Sequence, residues 1–286
     1  MLKIGLSSAC KTVNEDLFIQ YEKAGISAME ISLQEHILNA LDLEQVKKWA
    51  DAHNVELWSL HFPFNPNGQA DIAAHEEDVR RATIKYYGEL IKKGTSIGIK
   101  TYVIHPCSVE PIEEDERREV RMKYSKECLD ALAEIAHEAG AVIAVENLPR
   151  SCLARNSKEL LELLESNDKL RVCYDTNHLL DQDTFEFISD VGDKIVTIHV
   201  SDYDFVNERH WLPGEGQLDW QEVLKALKNI GYNGPWMYEL EFECPETILR
   251  DRDLNCDDFS LNAKELFENK PITVNSRPKP NLGMWE

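Results

Sequence analysis

Apolar runs of strand length recur along the chain, and most stop at a residue that can ionise. VELWSLHFP reaches His61, TYVIHP reaches His105 and AVIAVENLP reaches Glu146. RVCYDTNH ends on Asp175 and His178, KIVTIHVSD on His199 and Asp202, and PWMYELEF carries Glu239 and Glu241. A buried strand avoids ionisable side chains, because desolvating an unpaired charge is costly. One such residue is an accident of packing. A series of them at the carboxyl ends of successive strands predicts parallel strands that point toward one shared site. A closed parallel barrel gathers its functional residues at that end.

Helical segments alternate with these runs. LKIGLSS reads as a first strand, and Thr12, Asn14 and Asp16 offer caps for a helix that Gly25 ends. AMEISL is the second strand, followed by the helix LEQVKKWADAH and the strand ending at His61. Helices from about Asp78 to Ile97 and from about Glu116 to Ala139 precede the fourth and fifth strands. Asn156 or Ser157 caps KELLELLES, FEFISDVG precedes the seventh strand, and Asp219 caps WQEVLKALKNIG before the eighth. A last helix falls around DDFSLNAKELFE. The alternation predicts an α/β fold, a single (β/α)8 barrel over residues 1–269, with residues 270–286 as an extended arm. A doubly wound sheet is disfavoured: neither GxGxxG nor GxxxxGK[ST] follows the first strand. The polar strand ends also spread over six strands instead of one switch point.

Composition narrows the partners. The 286 residues are 43% hydrophobic, enough for a large core. No run approaches the roughly 20 apolar residues that span a membrane, and the N-terminus shows no signal-peptide pattern. The seven cysteines are an odd number without a CxxC pair, which points to a reducing compartment and away from a thiolate zinc site. The expectation is a cytoplasmic protein without a membrane partner, for which a homo-oligomer remains open. The net charge of −21 argues against nucleic acid, since no basic patch offsets it.

The order HFPF, VIHP, VEN, DTNH, HVSD, ERHWLPGEGQLDW and GPWMYELE resembles the xylose isomerase-like TIM barrels over nearly the whole chain. Two branches are similar: the sugar isomerases and epimerases with their inosose dehydratase relatives, and the endonuclease IV type of AP endonuclease. In the sugar branch the resemblance implies one divalent metal ion held by Glu146, Asp175, His199 and Glu239. Glu241 shares the strand face of Glu239 by the period of two. Glu239 is preferred because the family's YE or IE position falls there.

Donor chemistry agrees with that set. Three carboxylates and one imidazole suit Mn, Mg or Co, with Zn also open. Four protein ligands leave positions for two substrate oxygens. Glu146 and Glu239 are then the candidate catalytic acid/base pair for proton transfer through an enediolate on a small ketose or polyol-type carbonyl compound. His61, His105, His178, Glu208 and His210 are candidate substrate contacts. In the nuclease branch, positions matching His61, His105, Glu208 and His210 bind two further zinc ions, and this chain has Glu208 where the nuclease pattern expects Asp. The acidic charge favours the sugar branch. Trp58, Trp211, Trp220 and Trp236 offer either an apolar wall for a sugar or core packing. Arg150 reads as a loop arginine. Glu30 either meets a substrate hydroxyl or pairs with a neighbouring base.

Overall fold

Parallel pairing carries the chain around a barrel. In a computed structural model covering residues 2–64, 70–108, 116–280 and 282–283, the first elements are β1 (Ile4–Ser7), α1 (Glu15–Ala24), β2 (Ala28–Ser32), α2 (Glu35–Ala40), α3 (Leu43–Ala52) and β3 (Glu56–His61). Next come α4 (Glu77–Ser96), β4 (Thr101–Ile104), α5 (Glu116–Glu138), β5 (Val142–Glu146), α6 (Ser157–Leu164) and β6 (Arg171–Asp175). The chain continues through α7 (Thr184–Val191), β7 (Ile195–His199), α8 (Trp220–Asn229) and β8 (Trp236–Tyr238). It ends in β9 (Ile248–Arg250), α9 (Cys256–Phe267) and β10 (Ser276–Pro278). The large sheet runs β7-β6-β5-β4-β3-β2-β1-β8. A bridge between Val200 and Tyr238 closes it, with Val200 N donating to Met237 O at 2.8 Å. The fold is a nearly closed (β/α)8 barrel.

Local chemistry sets the element boundaries. Of the three caps offered before α1, Asn14 is the one used: its side chain accepts from Leu17 N, and Gly25 ends the helix at φ 80°. Asn156, not Ser157, caps α6, and Asp219 caps α8. Apolar residues on the outer faces of the strands pack against the helices as the main core. Val103, Ala144 and Cys173, from three adjacent strands, form a separate small cluster with Val196.

Two features differ from the sequence reading, and one that it left open, the place of the tryptophans, is decided. The segment PWMYELEF forms strand only from Trp236 to Tyr238, so Glu239 lies one residue past β8 and Glu241 is exposed. Trp211, Trp220 and Trp236 are buried in the core instead of facing a ligand. Trp58 reaches across to Thr197 Oγ1. The C-terminal stretch is also fastened more firmly than an arm: β10 pairs antiparallel with β9, and Ser276 donates to Glu215 Oε1. Positions 281 and 284–286 of that arm lie outside the described residues. Among the described residues no helix is long and apolar enough to cross a membrane.

Candidate active site

Glu146 is the last residue of β5, Asp175 of β6 and His199 of β7, so the barrel delivers three donors to one rim. Glu239 joins them just beyond β8. One donor atom from each of these four lies within 4.8 Å of every other. His199 Nδ1 is 3.0 Å from Glu239 Oε2, 3.4 Å from Glu146 Oε1 and 3.8 Å from Asp175 Oδ2. Glu146, Asp175 and His199 are almost fully buried.

The surrounding backbone holds the carboxylates in place. The Asn147 side chain clamps the Asp175 backbone at two points: Nδ2 donates to Asp175 O at 2.9 Å, and Oδ1 accepts from Asp175 N at 2.8 Å. One oxygen of Asp175 accepts from Asn177 N at 2.7 Å, while Oδ2 is buried with no hydrogen-bond partner among the described residues. An orphaned carboxylate oxygen inside a ring of acids is costly. It fits a site built for a cation, as does the hard donor set.

The predicted substrate contacts surround this centre in two groups. On one side, His61 Nε2 lies 3.1 Å and His105 Nε2 3.4 Å from Glu146 Oε2. Phe64 stacks on His105 at 4.3 Å between ring centroids. On the other side, His178 donates from Nδ1 to Asn147 O at 2.9 Å, which turns Nε2 toward Glu208 Oε2 at 3.3 Å. Arg150 pairs with Glu208 and with Asn207 Oδ1, so its guanidinium is engaged within the protein. His210 completes a second donor cluster with His178 and Glu208, and His61, His105 and Glu146 make a third. A cleft of about 570 Å³ opens onto Phe64, His105, Glu146, His178, Glu208 and His210, lined also by Leu148, Pro149 and Leu240.

Asp202 builds the loop that carries Glu208 and His210. It accepts from Tyr203 N, Gly214 N, Leu218 N and the Trp220 indole. Gly216 packs so closely that a Cβ there would overlap Asp202 Oδ1 and Tyr203 O. This explains the second glycine of the PGEG segment.

The charges are strongly interdependent. Burial resists ionisation of Glu146, but His199, His105 and His178 outweigh it and hold the carboxyl well below its ordinary range. Glu239 is lowered to about 2, because His199 overcomes the burial penalty. Glu208 is also lowered to about 2 against burial, through its contact with His178. Asp175 is raised to about 6, by burial first and then by repulsion from Glu146 and Glu239. His61 is raised to about 9: burial opposes its charge, but Glu146 more than compensates. His105 is pushed down by burial, which leaves it neutral.

Sequence reasoning named Asp202 only as a strand-end acid and did not single out Asn147 or Phe64. Asn147 and Asp202 act through backbone groups brought close only by folding. Phe64 is one more apolar letter in HFPF until the loop turns it over His105. Glu30, read with two options, takes the second: it is fully buried and pairs with His199 Nε2.

The profile of the xylose isomerase-like TIM barrels matches residues 18–254, and the chain belongs to that family. Among curated proteins it is 22% identical over 226 residues to the D-psicose 3-epimerase of Ruminiclostridium cellulolyticum, covering 76% of this chain and 74% of the relative. It is 23% identical over 223 residues to a probable endonuclease 4 of Clostridium beijerinckii, covering 72% and 76%. Among solved structures, a D-tagatose 3-epimerase-like protein superposes with a TM-score of 0.77 at 23% identity, covering 94% of this chain and 96% of the other.

Proposed function

We propose that the protein is a divalent-metal-dependent isomerase or epimerase of a small ketose or related polyhydroxylated carbonyl compound. The carrying observation is the convergence of Glu146, Asp175, His199 and Glu239 at the open end of the barrel. The sugar-epimerase names among the relatives and structural neighbours support the same reading.

In this reading those four residues hold the metal. A bound divalent cation polarises a substrate carbonyl and stabilises negative charge on the adjacent oxygens. Glu146 and Glu239 supply the base and the acid. Both are held ionised at neutral pH, so either can take the proton from the carbon next to the carbonyl. Inversion of that carbon requires the other carboxylate to take a proton from solvent and hand it to the opposite face, while the proton removed leaves to solvent from the first. His61, carrying a proton at neutral pH, donates from Nδ1 to Phe62 O and from Nε2 to Glu146 Oε2, so it would steady the base beside the substrate. His178 and Glu208 give a donor and an acceptor on the far side. Phe64 supplies apolar contact beside the polyol.

The test is solvent-deuterium incorporation into ketopentoses and ketohexoses with Mn, Mg or Co supplied. Wild type is expected to exchange the proton beside the carbonyl, and Glu146→Gln to lose this by at least the 10²–10⁴-fold typical of general acid–base catalysis. Near wild-type exchange by Glu146→Gln removes the mechanism. Exchange accompanied by loss of water instead marks a dehydratase of the inosose type.

A second reading has a specific observation behind it. The three adjoining donor clusters can hold three ions, as an endonuclease IV-like zinc enzyme requires. The net charge of −21 opposes a DNA substrate. Three zinc ions per chain, with incision of an abasic duplex lost in His61→Ala and His105→Ala, establishes that alternative. One ion per chain and no incision rejects it.

A further inference from the structure

Glu30 is a carboxylate in the middle of β2, fully buried inside the barrel. Its contacts define a geometry that the four-residue cluster does not. His199 Nε2 lies 3.0 Å from Glu30 Oε1 and 3.2 Å from Oε2. Ser59 Oγ, on β3, donates to Oε2 at 2.8 Å and fixes the carboxylate's direction. The opposite nitrogen of His199, Nδ1, faces Glu239, Glu146 and Asp175. The imidazole is thus gripped at both ends by acids of different surroundings.

A neutral imidazole carries one proton. A carboxylate at Nε2 accepts that proton as a hydrogen bond, which leaves the Nδ1 lone pair directed at the carboxylate cluster. The ring is then oriented as well as tautomerically fixed, and the negative charge behind it makes Nδ1 a better donor. We infer that Glu30 is a positioning residue that acts through His199, holding the tautomer and ring plane in which Nδ1 ligates the metal. This rests on the metal reading proposed above. Glu30 touches neither the cleft nor, in this account, the substrate.

The test measures metal binding, not turnover. The chain is stripped with a chelator and titrated with Mn²⁺ and Co²⁺ by calorimetry, and the visible absorption of bound Co²⁺ is recorded. Wild type, Glu30→Gln, Glu30→Leu and Ser59→Ala are compared, with metal-free melting curves as the control for folding. Glu30→Gln keeps an acceptor but loses the charge, and is expected to weaken binding 10–100-fold. Its metal-free melting point is expected to fall, because one partner of the buried Glu30–His199 pair has lost its charge, so binding is titrated well below that melting point. Glu30→Leu, where it folds, weakens binding further, and Ser59→Ala less. The Co²⁺ spectrum shifts in Glu30→Gln because the imidazole is a changed donor. Wild-type binding with an unaltered constant and spectrum in Glu30→Gln overturns the role of Glu30 and leaves the metal reading standing. Failure of wild type to bind either ion overturns both.

Discussion

At the scale of single residues, contact geometry decides function more than residue type does. Asp202 and Asp175 are both buried acids, yet four donors surround Asp202 while Asp175 Oδ2 has none among the described residues. The first is a structural anchor and the second faces the candidate metal site. Gly216 is the most constrained partner of that anchor. Gly216→Ala is expected to push the Leu212–Leu218 loop outward at about 1–3 kcal/mol, as for overpacking elsewhere. Equilibrium urea unfolding reads this as a lower midpoint with an unchanged slope. The loop carrying Glu208 and His210 is attached to the same anchor, so substrate affinity is expected to fall in the same variant. A midpoint matching wild type would show that the loop yields without strain.

At the scale of elements, the barrel is weakest where β7 meets β8, which a bridge and not a full ladder joins. Lys11, on the loop after β1, reinforces the neighbouring seam. Its ammonium donates to Leu240 O at 2.6 Å and Ala9 O at 3.1 Å, and it sits over the Phe242 ring at 4.9 Å. Burial lowers its pKa from 10.5 to about 8. Between those values the unfolded chain holds this proton more often than the folded one, so the contribution of Lys11 to stability rises with pH across the window. The stability difference between wild type and Lys11→Met is expected to shift toward wild type from about pH 8 to 10.5, by at most about 3 kcal/mol. Taking the difference cancels the tyrosines and cysteines that titrate nearby. A flat difference across that range would mean that Lys11 keeps its ordinary pKa.

At the scale of the whole molecule, the acidic charge and the acid-rich site bear on each other. Gathering Glu146, Asp175, Glu239 and Glu30 around one imidazole costs stability that a cation restores. A divalent ion at 100 times its dissociation constant is expected to stabilise the fold by about 2.7 kcal/mol through mass action. Differential scanning calorimetry with and without chelator checks this, and a melting point indifferent to metal would contradict it. The same surface charge is expected to hold affinity for abasic duplex DNA no tighter than about 10⁻⁴ to 10⁻⁶ M at physiological salt. Fluorescence anisotropy measures it, and nanomolar binding would overturn the charge argument.

The chain alone determined the repeating strand-and-helix order, and with it the barrel. Each strand is short, and its ionisable residue stands out against an apolar run, so the pattern survives without coordinates. In a parallel barrel the order along the chain is also the order around the rim. That is why Glu146, Asp175, His199 and Glu239 can be named before their distances are known. The family position favoured Glu239 over Glu241, and the tertiary structure supplies the physical reason, because the period of two stops when β8 ends at Tyr238. Only it set Glu30 against His199, 169 residues away in sequence. It also sent the tryptophans to the core and turned Phe64 toward the histidines. Periodicity and capping are local properties of the backbone and can be read from neighbouring letters. Which buried acid meets which base depends on the closure of the sheet, and that is a property of all the strands together.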